Sequence, residues 1–153
     1  MKASEFIKTL SEPPTPEREQ KILDAIKQDL NLPIQWAPIQ TSEQGHTGTI
    51  FVSSDVVCIG ESDDFVRINL NYKTSQLAVD YLDCCLPTRK IADLIFKQAI
   101  VVITPCIQNA NAQMSYTSRM VLHSQKIEQK RAGREGLLAS TGKDWCLTNR
   151  LLE

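Results

Sequence analysis

Two histidines, His46 and His123, stand among five cysteines: Cys58, Cys84, Cys85, Cys106 and Cys146. A cysteine nucleophile needs a base within hydrogen-bond reach and an acceptor that orients the base. Cys85 or Cys146 with His123 and Asp144 supplies those residue types, so a hydrolase built on Cys85, His123 and Asp144 is one reading of the chain. The plainer reading is structural. An unactivated cysteine packs as a small hydrophobe, and the helix expected up to Cys85 puts that side chain on its apolar face. No two cysteines have the C-x-x-C spacing, so zinc-ribbon and thioredoxin chemistry lack their signature.

His46 with Asp63 and Asp64 offers an imidazole and two carboxylates to a divalent metal. The set falls short of a closed site, and residues 61–64 have the composition of a hairpin turn, so no metal and no cofactor is expected. Thr88-Arg89-Lys90 places two cations in the first turn of a helix, where the dipole disfavours them. Such a placement suits anion recognition, because helix N-termini already present unbonded N–H groups. A salt bridge to Asp93 explains it more simply. Lys143, beside the Gly142 turn, completes the candidate binding set of His46, Arg89, Lys90 and Lys143. Lys126, Lys130, Arg131 and Arg134 are interleaved with Glu128 and Glu135 and lack stacking aromatics, so they read as a solvated helix face. No phosphate loop, G-x-S-x-G elbow or H-E-x-x-H pair occurs in the sequence.

The elements that must position these groups belong to an ordinary globular composition. The chain has 153 residues, 42% hydrophobic and 23% charged, with a net charge of −1. At roughly 150 residues per domain this is one domain, divided into residues 1–14, an N-terminal arm or short helix, and residues 15–153, a single α+β domain. It needs no metal or disulfide to fold. A net charge near zero gives no argument for nucleic acid. Glu5 and Lys8 interrupt the apolar run of about 7–15 residues that a secretory signal needs. No stretch approaches the ~20 apolar residues of a membrane span. A cytoplasmic protein with reduced thiols is expected.

Residues 3–10 suit a short helix. Thr15-Pro16 opens a second, with Ile22, Ile26 and Leu30 on one face, Leu23 and Ala25 beside them, and Pro33 at its end. Pro38 makes residues 34–39 an edge strand or extended connector, and residues 41–47 read as a polar loop. Residues 49–52, 56–59 and 65–68 predict an antiparallel meander. A helix capped by Thr74 or Ser75 runs to about Cys85, with Leu77, Ala78, Tyr81, Leu82 and Cys85 inward. A helix over 89–98 and a strand over 100–103 follow. After a loop comes a helix over 118–131, and then a strand pair over 137–139 and 144–148. Segregated strand and helix blocks favour α+β, with three to four helices packed on one side of the meander.

Several segments together carry a resemblance. They are Gly45-His46-Thr47, Ile59-Gly60 with Asp63-Asp64-Phe65-Val66, Leu86-Pro87-Thr88-Arg89-Lys90, Gly142-Lys143-Asp144 and Leu147-Thr148-Asn149-Arg150-Leu151. In this order, over residues 15–151, they resemble a family of uncharacterised bacterial proteins, some associated with cell-wall-binding modules. The resemblance implies a context, and no activity. It also implies that longer members continue into a region rich in Trp, His, Tyr and Asp, so this chain is expected to be an N-terminal part or short form. Trp145-Cys146 and the single Lys143 depart from the more aliphatic and basic family pattern.

Three functions are therefore weighed. The first is an accessory or binding domain. The second is a hydrolase, with the cysteine site above or with catalytic residues beyond Glu153. The third is a module that takes a protein partner, or a second copy of itself, through an open sheet edge at residues 147–152.

Overall fold

The computed structural model describes residues 1–142 and 145–148. Among them are five helices: α1 (Ala3–Ile7), α2 (Pro16–Lys27), α3 (Tyr72–Tyr81), α4 (Arg89–Gln98) and α5 (Thr117–Arg131). Six strands accompany them: β1 (Trp36–Glu43), β2 (His46–Ser53), β3 (Cys58–Glu61), β4 (Asp64–Arg67), β5 (Val101–Val102) and β6 (Leu138–Ala139). The architecture mixes helices with short antiparallel hairpins, as expected of α+β.

The main core grows from α2. Thr15 Oγ1 accepts from the Arg18 N–H at 3.2 Å and Pro16 takes the first helical position, so both start signals act together. Ile22, Leu23, Ala25 and Ile26 are buried along one face. Full burial of Ile22 and Ile26 contributes roughly 1.5–3 kcal/mol each. Ala3 and Phe6 of α1, in the segment expected as an arm or short helix, join the same core with Ile59, Val66, Ala78 and Met120. A smaller cluster gathers Val101, Ile103, Ile127 and Leu138.

The expected meander is replaced by separate two-stranded sheets. β1 pairs with β2 from Trp36↔Ser53 to Glu43↔His46. Gln44 (φ 47°) and Gly45 (φ 83°) close it as a two-residue turn of type I′ character. The segment expected as a polar loop over 41–47 is thus the tip of a long hairpin. β3 and β4 form a second hairpin from Cys58↔Arg67 to Glu61↔Asp64, and β2 does not pair with β3. Separate sheets offer no single side, so the helices are not stacked on one. α4 packs on β1, whereas α1 lies on β3 and β4, and α5 on β4. Gly60 makes the close approach of α1 possible. Its φ is +128°, and a Cβ there would lie 2.2 Å from the Asp64 carbonyl oxygen and 3.0 Å from Ala3 Cβ.

β6 pairs in parallel with β5, with Val101 N donating to Leu137 O at 3.0 Å. This corrects the expected pairing of 137–139 with 144–148. Leu147 instead donates its N–H to Pro87 O at 2.9 Å.

α3 also departs from expectation. Asn71 caps it, its Oδ1 accepting from Thr74 N at 3.0 Å, so Thr74 and Ser75 lie inside the helix rather than before it. Its buried face is Thr74, Ser75 and Ala78, while Leu77 and Tyr81 are exposed. The side chains turned inward, where α3 meets α2, are small ones. No helix among the described residues is long and apolar enough to cross a membrane.

Candidate functional site

The predicted catalytic residues sit as follows. α3 stops at Tyr81, and the left-handed Asp83 (φ 53°) turns the chain away, so Cys85 lies exposed beyond the helix rather than on its apolar face. His123 is in the middle of α5, beside the backbone of Cys106. Asp144 and Lys143 lie outside the described residues. No hydrogen bond joins Cys85 to His123. Cys58 is buried beside Asp55 and Arg67, and burial, reinforced by the Asp55 charge, pushes its thiol up to about 12. Burial likewise raises the Cys84 thiol, with Asp83 adding to it. Neither offers a thiolate at neutral pH.

Of the candidate binding residues, two have Glu43 as a neighbour. His46 stands opposite Glu43 across the hairpin tip, and the Lys90 ammonium pairs with the Glu43 carboxylate. That pair replaces the expected bridge to Asp93. Arg89 is exposed in the first turn of α4, where Thr88 Oγ1 caps the Ile91 N–H at 3.3 Å. Asp64 accepts from Ser4 and Asp63 pairs with Lys2, so the carboxylates weighed with His46 serve the α1 contact instead.

Charged groups gather around the buried Arg67 in a structural cluster. Arg67, 2% exposed, donates from Nε to Asp55 at 3.0 and 3.1 Å and from Nη2 to Glu128 at 2.6 Å. Arg131 stands 3.7 Å from both carboxylates. Burial opposes the Arg67 charge, but the bonds to Asp55 and Glu128 outweigh it and hold the guanidinium above its usual range. The basic run around it is more than a solvated face. Lys130 donates to Thr104 O at 2.6 Å, and Arg134 donates to Arg131 O and Lys130 O at 3.0 and 2.7 Å, tying down the end of α5.

The first hairpin is where the fold leaves something unfinished. Ser54 N donates to Gln35 O just below the pair Trp36↔Ser53. Hydrogen-bonded pairs alternate along an antiparallel ladder, so Pro38, Gln40 and Ser42 turn their backbone groups away from β2, and Thr47, Thr49 and Phe51 turn theirs away from β1. The β1 edge is closed. Pro38 has no N–H to offer. The Gln98 carboxamide accepts from Gln40 N and donates to Gln40 O, both at 2.8 Å. Lys90 Nζ donates to Ser42 O at 3.4 Å. The β2 edge has no such closure among the described residues. It carries no charged side chain and no proline, and Phe51 is 66% exposed.

Sequence reasoning expected an open edge over residues 147–152. Leu147 is bridged to Thr88, and residues 149–152 lie outside the described residues. The open edge on β2 was missed because the hairpin tip read as a loop. Gly45, midway between Ile39 and Ile50, was the available signal. No known protein family, curated protein or solved structure matches the chain.

Proposed function

We propose that the chain is a protein-interaction module, an α+β binding domain that adds a strand to the outer edge of β2, and that the strand it takes is β2 of a second copy. The observation that carries this reading is the contrast between the two edges of one hairpin. One is blocked by Pro38, Gln98 and Lys90, and the other is neutral and bare. Folds usually blunt exposed edges with charge, proline or cover, so a bare edge on an otherwise guarded hairpin suits pairing.

β2 is complementary to itself. In a two-fold antiparallel pairing centred on Thr49, Thr49 faces the partner's Thr49 and Thr47 faces the partner's Phe51. Each of these residues contributes an N–H and a C=O to the new ladder. Threonine–threonine and aromatic–β-branched pairs favour such a ladder, and no like charges meet across it. The resemblance to a bacterial family adds a setting to the proposal, and reduced thiols suit a cytoplasmic one.

The test is sedimentation velocity over a wide concentration range, with Thr49→Lys as the variant. Thr49 makes no backbone bond to β1, and its hydroxyl meets the Gln40 carboxamide on the face of the hairpin. A concentration-dependent dimer that disappears in Thr49→Lys, with circular dichroism unchanged, is the expected result. A wild-type chain that stays monomeric throughout overturns the reading.

A further inference from the structure

A groove of about 620 Å³ is lined by α1, by the β3–β4 turn with the start of β4, and by one face of α5. It shares no residue with the β2 edge. Its volume falls in the range of ligand sites, roughly 300–1,000 Å³. Its apolar part is a rim of the main core that the fold leaves open. Ile7 and Val121 pack against that core and stay half-buried, and Phe65 is half-buried as well.

Three carboxylates and no cationic side chain line the groove among the described residues. Glu128 is already matched by Arg67. The other two, Asp63 and Asp64, stand side by side at the β3–β4 turn and are poorly matched. Asp64 is half-buried and accepts from the backbone N–H and the hydroxyl of Ser4, which orient the carboxylate but leave its charge. Asp63 has Lys2 at 3.7 Å, with both side chains exposed, and such a contact contributes little. The N-terminal ammonium is held by Glu61. Two adjacent negative charges beside an apolar floor suit a partner that brings a cation and apolar surface together.

We propose that the groove docks an extended segment of another protein, in which one arginine stands between apolar residues. The guanidinium meets the Asp63 and Asp64 carboxylates, which its planar fork of donors fits better than a single ammonium does. The apolar side chains cover Ile7, Phe65 and Val121 and remove that open rim from water. Gln125 and Gln129 of α5 offer donors and acceptors to the segment's backbone. The same carboxylates repel phosphate, so the surface suits a peptide and not a nucleic acid.

Fluorescence anisotropy on the full chain tests this with three amidated, fluorescein-labelled peptides. The first has two leucines on each side of an arginine, the second has glutamate in place of the arginine, and the third has glycine in place of the leucines. The first is expected to bind, less tightly as salt rises, and the other two at least about tenfold more weakly. Asp63→Lys at the turn and Gln125→Arg on α5, both at exposed positions, are each expected to weaken binding about tenfold with circular dichroism unchanged. Thr49→Lys, at the β2 edge, is expected to leave binding intact. No binding of the arginine peptide, equal binding of either control, or an affinity that survives both folded groove variants overturns the proposal. So does an affinity lost in Thr49→Lys, which would place the peptide on the β2 edge.

Discussion

Gln98 stands in for a missing strand beside Gln40. Its Oε1 accepts from the Gln40 N–H and its Nε2 donates to the Gln40 carbonyl, each at 2.8 Å, which is what a paired residue on a neighbouring strand would do. One side chain at the end of α4 thus both anchors that helix and closes the β1 edge.

Gln98→Ala removes that closure. Two neutral hydrogen bonds contribute about 1–3 kcal/mol together, so the urea midpoint is expected to fall modestly. The second effect is on association. With Gln40 uncovered, Pro38 and Lys90 alone guard the β1 edge, and light scattering is expected to show a small fraction of species larger than a dimer that Thr49→Lys suppresses.

Gly60→Ala is expected to cost about 2–5 kcal/mol, from strained backbone and overpacking together. The φ of +128° and the 2.2 Å approach of the Asp64 carbonyl leave a Cβ no room, and the displaced neighbour is backbone. Urea unfolding followed by circular dichroism checks it; a midpoint equal to wild type would contradict this geometry.

Arg67→Ala leaves Asp55 and Glu128 with only the more distant Arg131, 3.7 Å from each, as a shared cation. Breaking a buried pair costs about 3–5 kcal/mol, and the partial exposure of Glu128 places this one near the lower end. In a double-mutant cycle, the same change in an Asp55→Ala background is expected to cost less, because one stranded carboxylate has gone. Equal costs in the two backgrounds would show that the pair is not coupled.

His123 sets a pH dependence with a definite sign. Burial lowers its pKa, Lys126 on the same helix and Arg67 on β4 lower it further, and the hydrogen bond to the Cys106 backbone opposes them. The unfolded chain therefore binds a proton more readily than the folded one. The stability His123 contributes is present above the unfolded value of about 6.5 and is lost as pH falls through the lower folded value. Lys126→Gln removes one of the depressing charges. Its His123 midpoint in an NMR titration is expected to lie above wild type, and the acid loss of stability to shrink.

The local elements were legible in the chain. Thr15-Pro16 and Thr88 mark helix starts that the structure bears out, and Ile22, Leu23, Ala25 and Ile26 bury as their spacing requires, because caps and periodic faces act within a few residues. Residues 89–98 form the helix their pattern predicts. The turn at Gln44-Gly45 was hidden among polar residues, since its signal is a backbone conformation rather than a hydrophobic pattern.

What the sequence determined, then, was which segments coil and which extend, and that the product mixes helices with short strands. Tertiary structure decided which segments meet. It brought Gln98 to Gln40, Arg67 to Asp55 and Glu128, and α1 to the groove it shares with α5. It also turned an expected meander into separate hairpins. The physical reason is range. Capping and side-chain periodicity are fixed by neighbours along the chain, whereas an edge, a buried ion pair or a cleft exists only after distant segments have excluded water between them.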